Sequence, residues 1–121
     1  MHILVIDDEP QIRAVARRVL EREGHTVVEA ADGREAIALI ESQAFHVVLT
    51  DVYMPNVDGI SLLRHLRKAG GSMRIVAMSG AAFAGGTDLL ETAKRLGASQ
   101  VLPKPFTPDQ LLAAIRDVTA G

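Results

Sequence analysis

The sequence predicts an α/β fold, a doubly wound (βα)5 sandwich whose parallel sheet runs in the order 2-1-3-4-5. Three observations predict it. Short continuous apolar runs alternate five times with longer stretches of helical periodicity, the pattern of parallel strands covered on both faces by crossover helices. The 121 residues allow one domain, and five strands suit this order better than the six-stranded dinucleotide-binding order. Polar residues able to do chemistry stand directly after the apolar runs, where an open parallel sheet binds its ligands.

The first strand is Ile3-Leu4-Val5-Ile6, ending in Asp7-Asp8-Glu9-Pro10. Pro10 suits the first helical position, and acidic residues there favour a helix N-terminus. Ile12, Val15, Ala16, Val19 and Leu20 recur at three- and four-residue steps, forming one apolar stripe on a helix that Gly24 closes. Val27-Val28 marks the second strand, and Ala36, Ile37 and Ile40 mark the second helix after Asp32-Gly33. Val47-Val48-Leu49 is the third strand, ending at Thr50-Asp51. A third helix carries Ile60, Leu63 and Leu66 between Asp58-Gly59 and Gly70-Gly71. Ile75-Val76-Ala77-Met78 is the fourth strand, followed by Ser79-Gly80 and a loop from Ala81 to Gly86. The fourth helix presents Leu89, Leu90, Ala93 and Leu96 and stops at Gly97, and Val101-Leu102 is the fifth strand. The last helix has the clearest start. Thr107 is a good N-cap, Pro108 takes the first helical position, Gln110 can close a capping box, and Phe106 with Leu111 can form a hydrophobic staple.

Composition narrows the function classes. Residues are 48% hydrophobic and 23% charged, which excludes intrinsic disorder. A net charge of −2 argues against a surface built to neutralise nucleic-acid phosphates. The absence of cysteine removes disulfide scaffolds, thiolate metal sites and cysteine nucleophiles together. No apolar run reaches the ~20 residues of a membrane span, and Met1-His2-Ile3 lacks a basic leader. A cytoplasmic domain without membrane or direct nucleic-acid contact is expected.

The strand ends carry Asp7 and Asp8 after the first strand, Asp51 after the third, Ser79 after the fourth and Lys104 just after the fifth. In the 2-1-3-4-5 order these four strands are neighbours, so three carboxylates, a hydroxyl and an ammonium converge on one edge. Each aspartate alone reads as a turn former or helix cap; the convergence does not. Crowded carboxylates call for a cation, and all-oxygen ligation points to Mg²⁺. A carboxylate beside Mg²⁺, a lysine and a hydroxyl is equipped for phosphoryl transfer through an acyl phosphate. Asp51 is the nucleophile candidate, because it stands alone while the other two acids form a pair. The histidines His2, His25, His46 and His65 show no ligand spacing, and Arg13, Arg17 and Arg18 read as the solvated face of the first helix.

Ile6-Asp7-Asp8-Glu9, Thr50-Asp51-Val52-Tyr53-Met54-Pro55 with Asp58-Gly59, Met78-Ser79-Gly80 and Lys104-Pro105-Phe106 together resemble the receiver domains of two-component response regulators, over the whole length. The resemblance implies one receiver domain over residues 1–121 with a chemotaxis-regulator-like, flavodoxin-like fold; a stand-alone receiver without an output domain is expected, and the N-terminal receiver of a longer regulator is the nearest rival. It implies that Asp51 accepts a phosphoryl group from the phosphohistidine of a sensor histidine kinase or a histidine phosphotransfer protein. Asp8, Asp51 and the carbonyl of Tyr53 would bind Mg²⁺ directly, and Asp7 would hold it largely through water. Lys104 would pair with Asp51 and then with a phosphoryl oxygen, aimed by a Lys104–Pro105 bond that is commonly cis in the family. Ser79 would be the switch hydroxyl, and the signal would leave through the fourth helix, fifth strand and last helix to a downstream protein. The chain would be a phosphoacceptor rather than a turnover enzyme, monomeric or dimerising on phosphorylation. Val101 departs from the family, which usually keeps Tyr or Phe there; Phe83 in the loop is the candidate substitute. The alternative is a hydrolase resembling the haloacid dehalogenases. Those usually carry a second carboxylate where Tyr53 stands, and a cap domain for which the chain has no room.

Overall fold

A computed structural model of the chain describes residues 1–51, 73–80 and 97–119, excluding the side chains of Ser79 and Gly80. Five strands, β1 (His2–Ile6), β2 (Thr26–Ala30), β3 (Val47–Asp51), β4 (Arg74–Gly80) and β5 (Gln100–Lys104), form one sheet in the order β2-β1-β3-β4-β5. Every pairing is parallel, so all five carboxyl ends lie at one edge. The expected order is therefore observed. Pro103 inside β5 agrees with it, since proline is tolerated on an edge strand and not in a central one. The expected third and fourth helices, Asp58 and the loop carrying Phe83 lie outside the described residues.

Alternation of side chains along each strand divides the core in two. Ile3, Val5, Val47, Leu49, Val76, Met78 and Leu102 pack with Ala16, Val19 and Leu20 of helix α1 (Pro10–Arg22) and with Leu111, Ala114, Ile115 and Val118 of the C-terminal helix (Pro108–Thr119). Leu4, Ile6, Val48, Ile75 and Ala77 pack on the other side with Ala36 of helix α2 (Gly33–Ser42) and with Phe45 and Ala98. Both faces are covered, which is why the strands read as unbroken apolar runs. Val15, expected in the buried stripe of α1, instead faces outward at 45% exposure.

Helix ends follow their local chemistry. Pro10 opens α1, and Gly24 closes it at φ +87°, with the Gly24 N–H donating to the Glu21 carbonyl at 3.0 Å and the His25 N–H to the Leu20 carbonyl at 3.2 Å. That paired closure requires a left-handed residue, which glycine adopts without Cβ strain. The Asp32 carboxylate caps α2 through the Glu35 N–H at 2.9 Å. The C-terminal helix starts with a full capping box. The Gln110 N–H donates to Thr107 Oγ1 at 3.1 Å, and the Thr107 N–H donates to Gln110 Oε1 at 2.8 Å. Phe106 packs on the cluster that contains Leu111. Replacing Thr107 with Ala is expected to cost about 1 kcal/mol, read as a melting temperature lower by a few degrees in a thermal scan; an unchanged midpoint would refute that role.

At the amino ends of the strands the histidines knit the sheet together. His2 stacks on Phe45 with ring centroids 4.6 Å apart, its Nε2 lies 2.8 Å from Gln43 Oε1, and its backbone N–H donates to His46 Nδ1 at 3.0 Å. This end is opposite the carboxylates, and the imidazoles there stand apart from the acidic cluster.

Candidate functional site

Asp7 is the first residue beyond β1, and its N–H still donates to the Ala30 carbonyl at 3.1 Å. Asp51 is the last residue of β3, registered opposite Met78, and Lys104 is the last residue of β5, registered opposite Gly80. With strands about 4.8 Å apart, β3 lies roughly 10 Å from β5 and β1 farther still, so the lysine must extend across the end of β4 toward the acids. A four-carbon stem does this. Lys104 Nζ stands 2.7 Å from Asp7 Oδ2 and 3.1 Å from Asp51 Oδ2. The side chains of Asp7, Asp51 and Lys104 are 0%, 6% and 11% exposed, so the contacts form largely out of water. The Lys104–Pro105 peptide is cis, as the resemblance implied.

Burial on its own pulls the Lys104 ammonium down, and it is the largest single influence. The hydrogen bond and charge of Asp7 and the charge and hydrogen bond of Asp51 together outweigh it and hold the lysine above its ordinary value. Asp7 Oδ1 accepts the Glu9 N–H at 2.9 Å, and its buried Oδ2 faces the Lys104 ammonium at 2.7 Å. Asp8 is exposed beside them. Carboxylate oxygens of Asp7, Asp8 and Asp51 lie within 4.8 Å of one another, and against one ammonium they leave two negative charges in excess. An all-carboxylate set with surplus negative charge fits a hard divalent cation.

The structure thus brings together Asp7, Asp8, Asp51 and Lys104. It places Ser79 within β4, opposite Pro103, rather than after the strand as the apolar run suggested. The side chain of Ser79 and the whole of Tyr53 lie outside the described residues. Val101 is half-buried in β5, packed on the second core cluster. A groove of about 310 Å³ beside it is lined by Val101, Pro103, Pro105, Gln110, Ala114 and Asp117, among others.

Two residues matter here that the sequence did not single out for the site. Arg13, expected on a solvated face, is only 17% exposed: its Nη1 donates to the Asp7 carbonyl at 2.7 Å and its Nε to Glu29 Oε1 at 3.2 Å. Glu29 also accepts from Arg17 Nη1 at 2.8 Å. The available signal was an acid inside an otherwise apolar strand whose neighbour ends in the paired aspartates.

A family model described as the response regulator receiver domain matches residues 3–116. The chain belongs to that family. Receiver-bearing relatives agree. It is 38% identical over 118 residues to response regulator MprA of Mycolicibacterium vanbaalenii, covering 96% of this chain and 49% of MprA. It is 31% identical over 114 residues to sporulation initiation phosphotransferase F of Bacillus subtilis, covering 94% of this chain and 90% of that protein. Among solved structures, chemotaxis response regulator CheY4 of Vibrio cholerae superimposes with a TM-score of 0.87 at 30% identity, covering 97% of each chain. The chain therefore spans about half the length of MprA and nearly all of the other two proteins. As a receiver domain it is of the two-component phosphoacceptor class, a family that interacts with kinases or phosphotransfer proteins. None of these similarities favours the dehalogenase-like alternative. Among the described residues no helix is long and apolar enough to cross a membrane.

Proposed function

We propose that Asp51 is the phosphoacceptor of this receiver, that Asp7, Asp8 and Asp51 hold Mg²⁺, and that Lys104 serves the transferring group. The observation that carries this reading is the Lys104 ammonium set between two buried carboxylates, with a third carboxylate in reach. The Asp51 carboxylate attacks phosphorus of a phosphohistidine or a small phosphodonor. The O–P bond forms as the bond to the donor breaks, and the donor leaves with that electron pair and is protonated by solvent. Lys104 is close enough to follow a phosphoryl oxygen placed on Asp51 and offset its charge. Bound Mg²⁺ would supply the rest of the neutralisation. Tyr53 is assigned as a carbonyl ligand and Ser79 as the switch hydroxyl by the resemblance.

A phosphoryl group adds roughly −1.5 to −2 charges and three acceptor oxygens at one point. Lys104 and Ser79 respond to them, and the change passes to the face of β5 and the C-terminal helix, together with the fourth helix expected from the sequence. The groove beside Val101 supports that surface as the docking place for a downstream protein. Residues 1–121 act as one cytoplasmic receiver unit, a substrate of its kinase rather than a turnover enzyme.

Intact-mass analysis after incubation with a small acyl-phosphate donor tests this reading. One added phosphoryl group is expected with Mg²⁺ and none with EDTA. Uptake that ignores EDTA, or several groups per chain, would refute it.

A further inference from the structure

The turn Asp7-Asp8-Glu9 carries two of the three carboxylates, and its three successive peptide units are each pinned. The Glu9 N–H, between residues 8 and 9, donates to Asp7 Oδ1 at 2.9 Å. The Glu9 carbonyl accepts the N–H groups of Ile12 and Arg13 at 3.1 and 3.2 Å, the start of α1. The Asp7 carbonyl, between residues 7 and 8, accepts the Arg13 guanidinium at 2.7 Å. Only this last restraint comes from a side chain outside the turn. We propose that Arg13 is a positioning residue for the cation site, holding the Asp7–Asp8 peptide so that both carboxylates point at a common centre, and that Glu29 is its anchor.

The arrangement needs a fork. Nη1 reaches the Asp7 carbonyl while Nε reaches Glu29 Oε1, 3.2 Å away on the neighbouring strand β2. A lysine is a point charge and cannot make both contacts from fixed positions. Glu29 is itself held by Arg17 through Oε2, so the anchor is braced from α1 as well. The ordinary reading is a partly exposed ion pair worth little to stability. The two readings predict opposite signs for cation affinity. If Arg13 acted only as a nearby positive charge, its removal would tighten Mg²⁺ binding. If it positions the carboxylates, its removal weakens binding.

The inference rests on the Mg²⁺ reading above, and the experiment separates the two. The full chain, Arg13→Gln, Arg13→Lys, Glu29→Ala and the double variant Arg13→Gln/Glu29→Ala are titrated with MgCl2 and followed by NMR amide shifts, whose dispersion also reports the fold. Loss of an outer contact to a metal ligand typically costs about 10-fold in affinity. Arg13→Gln is expected to raise the Mg²⁺ Kd by about that factor, with Glu29→Ala moving in the same direction. Arg13→Lys should fail to restore the affinity. The double variant should match Arg13→Gln alone, because residues acting as one unit are not additive. An Arg13→Gln Kd equal to or below the parent's, or full rescue by lysine, overturns the inference and leaves the Mg²⁺ reading standing. Absence of binding by the parent chain overturns both. Should Arg13→Gln fail to fold, the charge-conserving Arg13→Lys decides: a raised Kd supports positioning, and an unchanged or lower Kd overturns it.

Discussion

The Asp51→Asn chain is expected to gain no phosphoryl mass under conditions in which the parent gains one group, while keeping its fold. Asparagine matches aspartate in size, so the packing at the end of β3 is preserved. Its amide oxygen carries no formal charge and cannot give a stable acyl phosphate, so the loss is total rather than graded. Stability should hold or rise. Asp51 shares the end of the sheet with two other carboxylates, and like charges in so small a space oppose folding. Lys104 keeps its 2.7 Å contact with Asp7 and is not stranded by the change. A thermal scan in EDTA beside the mass measurement separates these effects. Continued single-group uptake by this variant would move the phosphoacceptor elsewhere.

Lys104→Met should produce the largest stability loss of the predicted changes, about 3 kcal/mol or more by urea unfolding without divalent cations. Methionine keeps much of the apolar stem and removes the charge. Asp7, with no exposed surface, and Asp51, with almost none, would then face each other and Asp8 with no ammonium between them. Added Mg²⁺ should recover part of the loss, because a cation that binds only the folded state stabilises it by linkage. The sign of the pH dependence follows from the direction in which Lys104 is shifted. Its partners hold it above its ordinary value of 10.5, so its contribution is complete below that pH and fades as pH rises through the higher folded value. Parent and variant stabilities should therefore converge only in strongly alkaline solution. A variant as stable as the parent at neutral pH in EDTA would mean that the ion pairs contribute nothing net.

Much of the site could be read from the chain because parallel strands buried on both faces announce their ends. Asp51 ends a wholly buried strand, Asp7 directly follows a buried apolar run, and Lys104 ends the edge strand just after Val101-Leu102. Pro10, Gly24, Asp32 and the Thr107–Gln110 pair act on backbone groups within a few residues of themselves, so local sequence suffices for them. Ser79 was harder. β4 runs two residues past its apolar stretch, and that extension is set by pairing with Pro103 and Lys104 of β5, which no local pattern encodes. Arg13 and Glu29 were hidden for the same reason, being sixteen positions apart and joined only once β2 lies beside β1. The departure at Val101 was visible in the sequence as a missing ring, and the structure adds a groove at its side.

The lysine that closes the site belongs to the edge strand β5, while the carboxylate it meets ends β3, which is wholly buried in the middle of the sheet. Their 3.1 Å contact is thus a mooring line, thrown across the end of β4 from the margin of the sheet to a buried post. A phosphoryl group on Asp51 would not need to push on anything distant. By standing between post and line it would let out the slack, and the margin of the sheet would take up a new berth.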